Sequence, residues 1–287
     1  MLSYGSVPLH LIAFGCVLEP AHVTSMTFTV LTATFNRAHL LAGLYQSLCA
    51  QTLHDFEWVI VDDGGTDGTK ELVASWRPFF PIRYTWKPNG GKHTAINAGV
   101  QQAAGDFIAI VDSDDRIVPR ALERLHHHWR QIQDPTLFAT LVGLCCAEDG
   151  SVLGDALPQD SVDVFNLRDA QKLEGADRWG MIRTDILKKF RYPEFKNERF
   201  MLEGVVWNRI LKKYAIRYVN EPLLIACYAP GGLGRQGDLR FSSPKGAVVY
   251  HTELAFSDAP VKVRVKSAIN AMRFSLVAIL RELRFIL

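Results

Sequence analysis

The sequence predicts an α/β protein with a mostly parallel sheet and helices on both faces. Short apolar runs without polar alternation, the mark of strands buried on both faces, recur between segments with helical spacing. The two kinds of segment alternate at the separation of strand–helix–strand units. Two acidic clusters, Asp62-Asp63 and Asp112-Ser113-Asp114-Asp115, stand where predicted strands end, the edge at which open sheets of this class bind ligands.

Taken in order, Thr27–Thr34 is a β-rich run closed by the turn Phe35-Asn36-Arg37, after which Leu40, Leu41, Leu44 and Leu48 share a helical face. Phe56–Val61 is the next buried strand, ended by Asp62-Asp63-Gly64-Gly65. A helix over Lys70–Trp76, a strand over Ile82–Trp86, a helix over Thr94–Ala104 and a strand over Phe107–Val111 follow. The last of these stops at three carboxylates. Unit charges about 4 Å apart repel by roughly 1 kcal/mol in water and about 4 kcal/mol at an effective dielectric of 20. A hard divalent cation with oxygen ligands removes that cost. The other reading is an acidic loop in which Asp115 caps a helix beginning near Pro119. That helix runs over Leu122–Ile132. Its His126, His127 and His128 point about 100° apart and so cannot chelate one ion together. Leu137–Ala147 is a long apolar strand, residues 151–176 show no pattern, and Trp179–Arg183 is a strand leading into a helix over Thr184–Lys189. Val206, Trp207, Ile210 and Leu211 share a further helical face, with Glu203 at its first turn, where the helix dipole favours an acid. A strand over Tyr218–Ala226 then leads to the glycine loop 231–235.

The hydrophobic fraction of 48% with 22% charged residues excludes wholesale disorder. The formal charge of +2 is uneven: residues 261–287 contribute +5, which leaves −3 for residues 1–260. A near-neutral body with a basic tail is not the footprint of a nucleic-acid binder. The five scattered cysteines form neither a disulfide framework nor a metal-binding pair, which points to a reducing, cytoplasmic setting. Residues 1–25 match no element of the pattern and are expected to be an extension ahead of a natural start at Met26. Residues 26–236 form the main domain, with halves at about 26–116 and 117–236, and residues 237–287 form a basic, amphipathic helical segment. In that segment Val265, Ile269, Met272, Leu276, Leu280, Leu283 and Leu287 fall on one stripe flanked by Lys262, Lys266, Arg273 and Arg284. Such a stripe either packs on the domain or lies on an anionic membrane surface.

Four blocks carry a resemblance. Thr29-Val30-Leu31-Thr32-Ala33-Thr34-Phe35-Asn36-Arg37, Val59-Ile60-Val61-Asp62-Asp63-Gly64-Gly65-Thr66-Asp67, Gly90-Gly91-Lys92-His93 with Asn97-Ala98-Gly99, and Val111-Asp112-Ser113-Asp114-Asp115 together resemble the family 2 glycosyltransferases. The resemblance covers about residues 26–235. It implies the GT-A fold, a Rossmann-like nucleotide-binding half fused to an acceptor-binding half. It also implies transfer of a sugar from a nucleotide donor with inversion, with Mn²⁺ or Mg²⁺ as cofactor. By the same resemblance Thr32 and Thr34 line the base pocket, and Asp62 or Asp63 accepts a hydrogen bond from a uracil N–H. Lys92 sits by the diphosphate, Asp112 holds the ribose, and Asp114 and Asp115 hold the metal. Glu203 takes the place of the catalytic base, with Asp177 and Glu198 in reserve, and Arg235 is a candidate to close over the diphosphate.

Three departures from the family pattern stand out: Gly65 where a Ser is common, Ile96 where an Arg often precedes the Asn, and Gly204 where a second acid often follows the base. The expected partners are a nucleotide-sugar donor, most simply a UDP-sugar, and a glycan or lipid-linked acceptor at the cytoplasmic face of a membrane. Two other readings share the acidic cluster. A nucleotidyltransferase would need a glycine-rich phosphate loop after the first strand, and Thr34-Phe35-Asn36-Arg37 is not one. An inactive sugar-nucleotide binding protein would keep the aspartates and lose the base.

Overall fold

A computed structural model describes residues 27–173, 175–227 and 238–286, with the side chains of the last helix described as far as residue 283. The N-terminal extension, Met26 and Arg235 lie outside the described residues. The elements run β1 (Phe28–Thr34), α1 (Ala38–Cys49), β2 (Phe56–Asp62), α2 (Thr69–Ser75), β3 (Ile82–Trp86), α3 (Lys92–Gln102), β4 (Phe107–Ile110), β5 (Arg116–Ile117), α4 (Ala121–Arg130), β6 (Phe138–Cys146), β7 (Ser161–Val164), α5 (Leu167–Ala170), β8 (Arg178–Arg183), α6 (Thr184–Leu187), α7 (Gly204–Leu211), β9 (Ala215–Ile225), α8 (Pro244–Ala255) and α9 (Val261–Ile286).

One sheet takes all the strands in the order β3-β2-β1-β4-β8-β6-β9-β5, with β7 paired to β9. The first four are parallel. Beyond β4 the sheet is mixed, because β8 runs antiparallel to both β4 and β6. Strand order reverses at β1, whose neighbours are β2 and β4, and this makes a crevice beyond their carboxyl ends. Both faces are covered, which explains the unbroken apolar runs. On one face Phe28 and Val30 of β1 meet Leu41, Leu44 and Leu48 of α1 and Trp58 of β2. On the other, Leu31 meets Ala95, Ile96 and Val100 of α3, and Val205, Val206 and Ile210 of α7 complete the cluster.

Some expectations need correction. Thr32 does not line a pocket: it is fully buried, and its hydroxyl accepts the indole N–H of Trp58 at 3.0 Å. The polar atom of a core tryptophan needs a partner, and Thr32 is that partner. Asp115 caps no helix, since α4 begins at Ala121 after Arg120. Residues 151–176 contain β7 and α5; β7 is a short, half-exposed strand at the sheet margin, too brief to show a period.

The C-terminal stripe is also placed differently from the packing reading. Val265, Ile269, Met272, Leu276, Leu280 and Leu283 are all exposed, while Phe274 and Ser267 of the same helix are buried. Phe274 stacks parallel on His251 of α8 with ring centroids 5.7 Å apart and meets Phe241 edge-on at 5.3 Å. Arg284 and Leu287 lie outside the described side chains.

His251 is buried with neither ring nitrogen hydrogen-bonded. Burial lowers its pKa, and the nearby Arg240 and Lys266 lower it further against an opposing pull from Asp238. The folded state therefore binds its proton less well than the unfolded state, so this contribution to stability is present above about pH 6.5 and lost as pH falls below it. Replacing His251 with Phe should shrink the drop in thermal midpoint between neutral and mildly acidic buffer. An unchanged acid slope in melts of the two proteins would show that the imidazole does not carry it.

Candidate active site

The crevice beyond β1, β2 and β4 is built by carboxylates that tie loops together. The Asp63 N–H donates to Thr34 O at 2.8 Å, and Asp63's side chain accepts from Gly91 N–H at 2.7 Å, from Gly90 N–H at 3.0 Å and from Lys87 Nζ at 2.7 Å. The Asp62 side chain accepts from Gly65 N–H and from the Tyr84 hydroxyl, both at 2.7 Å. Both aspartates are buried. Their bonded oxygens shape the turn, and only lone pairs left over remain for a ligand. Gly65 follows from the same packing, because a Cβ there would lie 2.6 Å from Asp62 Oδ1. Thr34 is buried at the end of β1 with its hydroxyl unpartnered, beside the exposed ring of Phe35.

Lys92 opens α3, and Gly91 before it has φ +97 with Arg199 O where a Cβ would be, at 2.0 Å. Only glycine lets these backbones approach so closely. That contact brings the chain around Arg199 against the start of α3. Lys92 Nζ then lies 2.8 Å from Asp112 and 2.9 Å from Glu203. Burial works against the charge on Lys92, but Asp112 and then Glu203 outweigh it and raise the pKa above the usual lysine value. Glu203 precedes α7 without making a side-chain cap, so its partner is Lys92 and not the helix terminus. Tyr192 is buried nearby, its phenol pushed up by burial and then by Glu203.

The rest of the acidic cluster faces other partners. Asp114 pairs with Arg37 at 3.1 Å, which bridges the loops after β1 and β4. Asp115 accepts the Cys227 N–H at 2.9 Å. Burial pushes its carboxyl up to about 7 against that bond, with Asp112 and Asp114 adding to the rise. An open cleft of about 770 Å³ lies beside Asp114, lined also by His39, Gly43, Arg116, Glu148 and Cys227, while Lys92 and Glu203 do not line it. Among the described residues no three His, Cys, Asp or Glu side chains converge as a ready-made metal cage. The donor set nonetheless fits a hard divalent cation: it is all oxygen, two of its members are held by Arg37 and Lys92, and mutual repulsion favours a positive guest.

Of the reserve acids, Glu198 is committed elsewhere, accepting Lys245 N–H at 2.9 Å and Gly246 N–H at 3.0 Å at the start of α8. Asp177 lies just before β8 and acts with Asp115 on the buried Cys145 thiol. Ile96 is part of the buried core, and Asn97 next to it donates to Tyr192 O at 2.9 Å and to Glu194 at 2.7 Å. Gly204 also has a packing reason. A Cβ there would come within 2.7 Å of the Tyr250 ring on α8. Arg37, Tyr192 and Tyr250 join the site only in the structure; of the three, Arg37 alone lies inside one of the sequence blocks that carry the family resemblance.

A crevice at the strand-order reversal, acids at its floor and a lysine joined to a second acid opposite make this a GT-A domain, the class of fold that handles nucleotide sugars. Residues 29–140 match the family model described as Glycosyl transferase family 2, and this stretch is a domain of that family. It is 34% identical over 209 residues to the GalNAc(5)-diNAcBac-PP-undecaprenol beta-1,3-glucosyltransferase of Campylobacter jejuni, covering 69% of this chain and 63% of that protein. It is 35% identical over 102 residues to an uncharacterized glycosyltransferase of Nostoc sp., covering 35% of this chain and 32% of that one. The chain thus spans less than two thirds of the length of these relatives. Among solved structures, S. aureus TarS 1-349 in complex with UDP superposes with TM-score 0.60 at 20% identity, over 87% of this chain and 70% of that one. The mannosyltransferase PcManGT from Pyrobaculum calidifontis, in complex with GDP-Man and Mn²⁺, superposes with TM-score 0.57 at 16% identity, over 89% and 74%. Both share the fold.

Gly204→Asp, which restores a second acid, should destabilise the protein by about 1–3 kcal/mol through overpacking on Tyr250. Tyr250→Ala should recover part of that loss when the two are combined. A double-mutant cycle of thermal melts showing simple additivity would place the strain elsewhere.

Proposed function

We propose that the chain transfers a sugar, with inversion, from a nucleotide-sugar donor to a hydroxyl of a glycan or lipid-linked acceptor. The donor in this reading is a UDP-sugar, and the reaction runs with Mn²⁺ or Mg²⁺ at the cytoplasmic face of a membrane. The observation that carries it is the bridge from Asp112 through Lys92 to Glu203, with Lys92 Nζ within 2.9 Å of both acids. One cation joins the acid at the donor end of β4 to the acid expected to act on the acceptor.

Glu203 is more than half exposed, within reach of an incoming acceptor. It takes the proton from the acceptor hydroxyl as that oxygen forms its bond to the anomeric carbon. The bond from the anomeric carbon to the diphosphate oxygen breaks on the opposite face, and the nucleoside diphosphate leaves with the electron pair. Lys92 stabilises the negative charge that gathers on the leaving oxygens. Glu203 is the more exposed partner of this pair, so a diphosphate that draws Lys92 over leaves Glu203 free for the acceptor. Asp112 then turns to the ribose. Thr34, its hydroxyl unpartnered, and Asp62 or Asp63 meet the base, and Phe35 offers it an exposed ring. Asp114 and Asp115 would hold the metal, which when bound supplies Lewis-acid stabilisation to the departing diphosphate.

The lipid-linked acceptor is supported by the C. jejuni relative, whose name specifies a PP-undecaprenol glycan. Its match takes in 69% of this chain. The inactive-binder reading rested on the missing second acid, and Tyr250 accounts for that absence through packing.

UDP release measured with a panel of UDP-sugars and Mn²⁺ tests the proposal. Asp114→Ala should abolish sugar-dependent release, and Glu203→Gln should slow it by about 10²–10⁴-fold while donor binding is kept. Full turnover in the Glu203→Gln protein would remove Glu203 as the base. Absence of turnover with every donor, alongside retained UDP binding, would leave a binding protein.

A further inference from the structure

The longest described helix carries an apolar face that nothing among the described residues covers. Val265, Ile269, Met272, Leu276, Ile279 and Leu283 are each 49% or more exposed, and at about 100° per residue they fall within an arc of about 80°. The side of α9 that packs on the domain, through Ser267 and Phe274, is opposite to them. Phe256, 84% exposed in the turn before α9, extends the apolar surface.

Along one edge of this face lie Lys262 and Lys266, one turn apart, and Arg273 about two turns further on. None of the three is ion-paired with a carboxylate among the described residues. The Arg273 guanidinium rests over the rings of Phe241 and Phe274, so it is turned to the seam with the domain and leaves Lys262 and Lys266 as the free cations of this edge. The acid of the helix is used on the other edge, where Glu282 pairs with Lys245 at 2.7 Å. Arg264 on that edge is held by Ala255 O at 3.1 Å. Among the described residues no helix is long and apolar enough to cross a membrane.

We propose that α9 lies flat on an anionic lipid surface, with its apolar face among the acyl chains and Lys262 and Lys266 at the headgroups. An apolar arc bordered by unpaired cations is the signature of an interfacial helix. A second copy of the chain is a poorer occupant. It offers apolar surface, but its one acid in α9 already serves the domain, and it brings the same basic edge. The anionic surface supplies both contacts.

The geometry also couples the surface to the crevice. Tyr250 and His251 of α8, whose rings meet edge-on at 5.1 Å, touch two different elements: His251 stacks on Phe274 of α9, and Tyr250 stands over Gly204 beside Glu203. The start of α8 is bonded to Glu198 and its preceding Ser243 to Phe200 N–H at 3.1 Å. A bilayer that seats α9 therefore positions the segment bearing Glu203, the side to which an acceptor embedded in that bilayer must be presented. This coupling deepens the acceptor part of the reading above, whereas surface binding itself needs neither donor nor acceptor.

The test is co-sedimentation of the full chain with vesicles of phosphatidylcholine, alone or mixed with phosphatidylglycerol, without any sugar nucleotide. Binding should require the anionic lipid and weaken as salt is raised. Lys262→Glu/Lys266→Glu should weaken it by about tenfold or more, and Ile269→Glu/Leu276→Glu should abolish it. Both variants change exposed positions, so their melts should match the parent's and their UDP release with a water-soluble acceptor should stay intact. Binding that is absent, or unaffected by both variants, would overturn the proposal and leave sugar transfer untouched. So would a dimer seen by light scattering that Ile269→Glu/Leu276→Glu breaks, since the face would then be a self-interface. Loss of UDP release in the parent with vesicle binding intact would count against the transfer reading alone.

Discussion

Like charge gathered at the end of β4 is the constraint on which the rest of the site depends. Asp112, Asp114 and Asp115 follow a strand with no room to spread, and each is answered differently. Lys92 takes Asp112, Arg37 takes Asp114, and Asp115 is left to a backbone N–H and a raised pKa. Each answer reaches to a different segment: the start of α3, the turn after β1, and the end of β9. Repulsion within four residues is thereby converted into the links that hold the crevice together. The sheet beneath carries none of these links, since Arg37 and Lys92 both reach the cluster from segments outside β4.

The loops around the cluster are fixed by buried carboxylates working as structural acceptors. Asp63 gathers Gly90, Gly91 and Lys87, and Asp67 receives the Ala38 N–H that begins α1 at 2.7 Å. Asn36, at φ 51, accepts the Thr66 N–H at 2.8 Å. Charge-assisted bonds of this kind are short and directional, so the position of Lys92 is set by backbone contacts and not by its own flexible stem.

Much of this was legible in advance because it rests on local pattern. The strands β1 to β4 announce themselves as apolar runs, and their acids sit at strand ends, so the parallel half and the acidic floor follow from the residues themselves. What pattern does not encode is which partner meets a side chain. Thr32 looks identical in sequence whether it faces a base or the Trp58 indole, and only the pleat decides. Asp115 beside a helix looks like a cap until β9 brings Cys227 to it. β7 is four residues long at the margin, below the length at which a period can be recognised. The stripe of α9 was visible, but the residue that anchors the helix, Phe274, lies off the stripe, so periodicity named the exposed face and left the packed one unmarked.

That last reversal bears on how the chain departs from its family. A second acid after Glu203 is replaced by Gly204 because Tyr250 needs the space, and Tyr250 is there because α8 must lie close to α7 while its other side receives Phe274. Trading an acid for a ring in that position gives up a charge next to Glu203 and gains packing that runs from Phe274 of α9 through His251 and Tyr250 of α8 to the segment bearing Glu203.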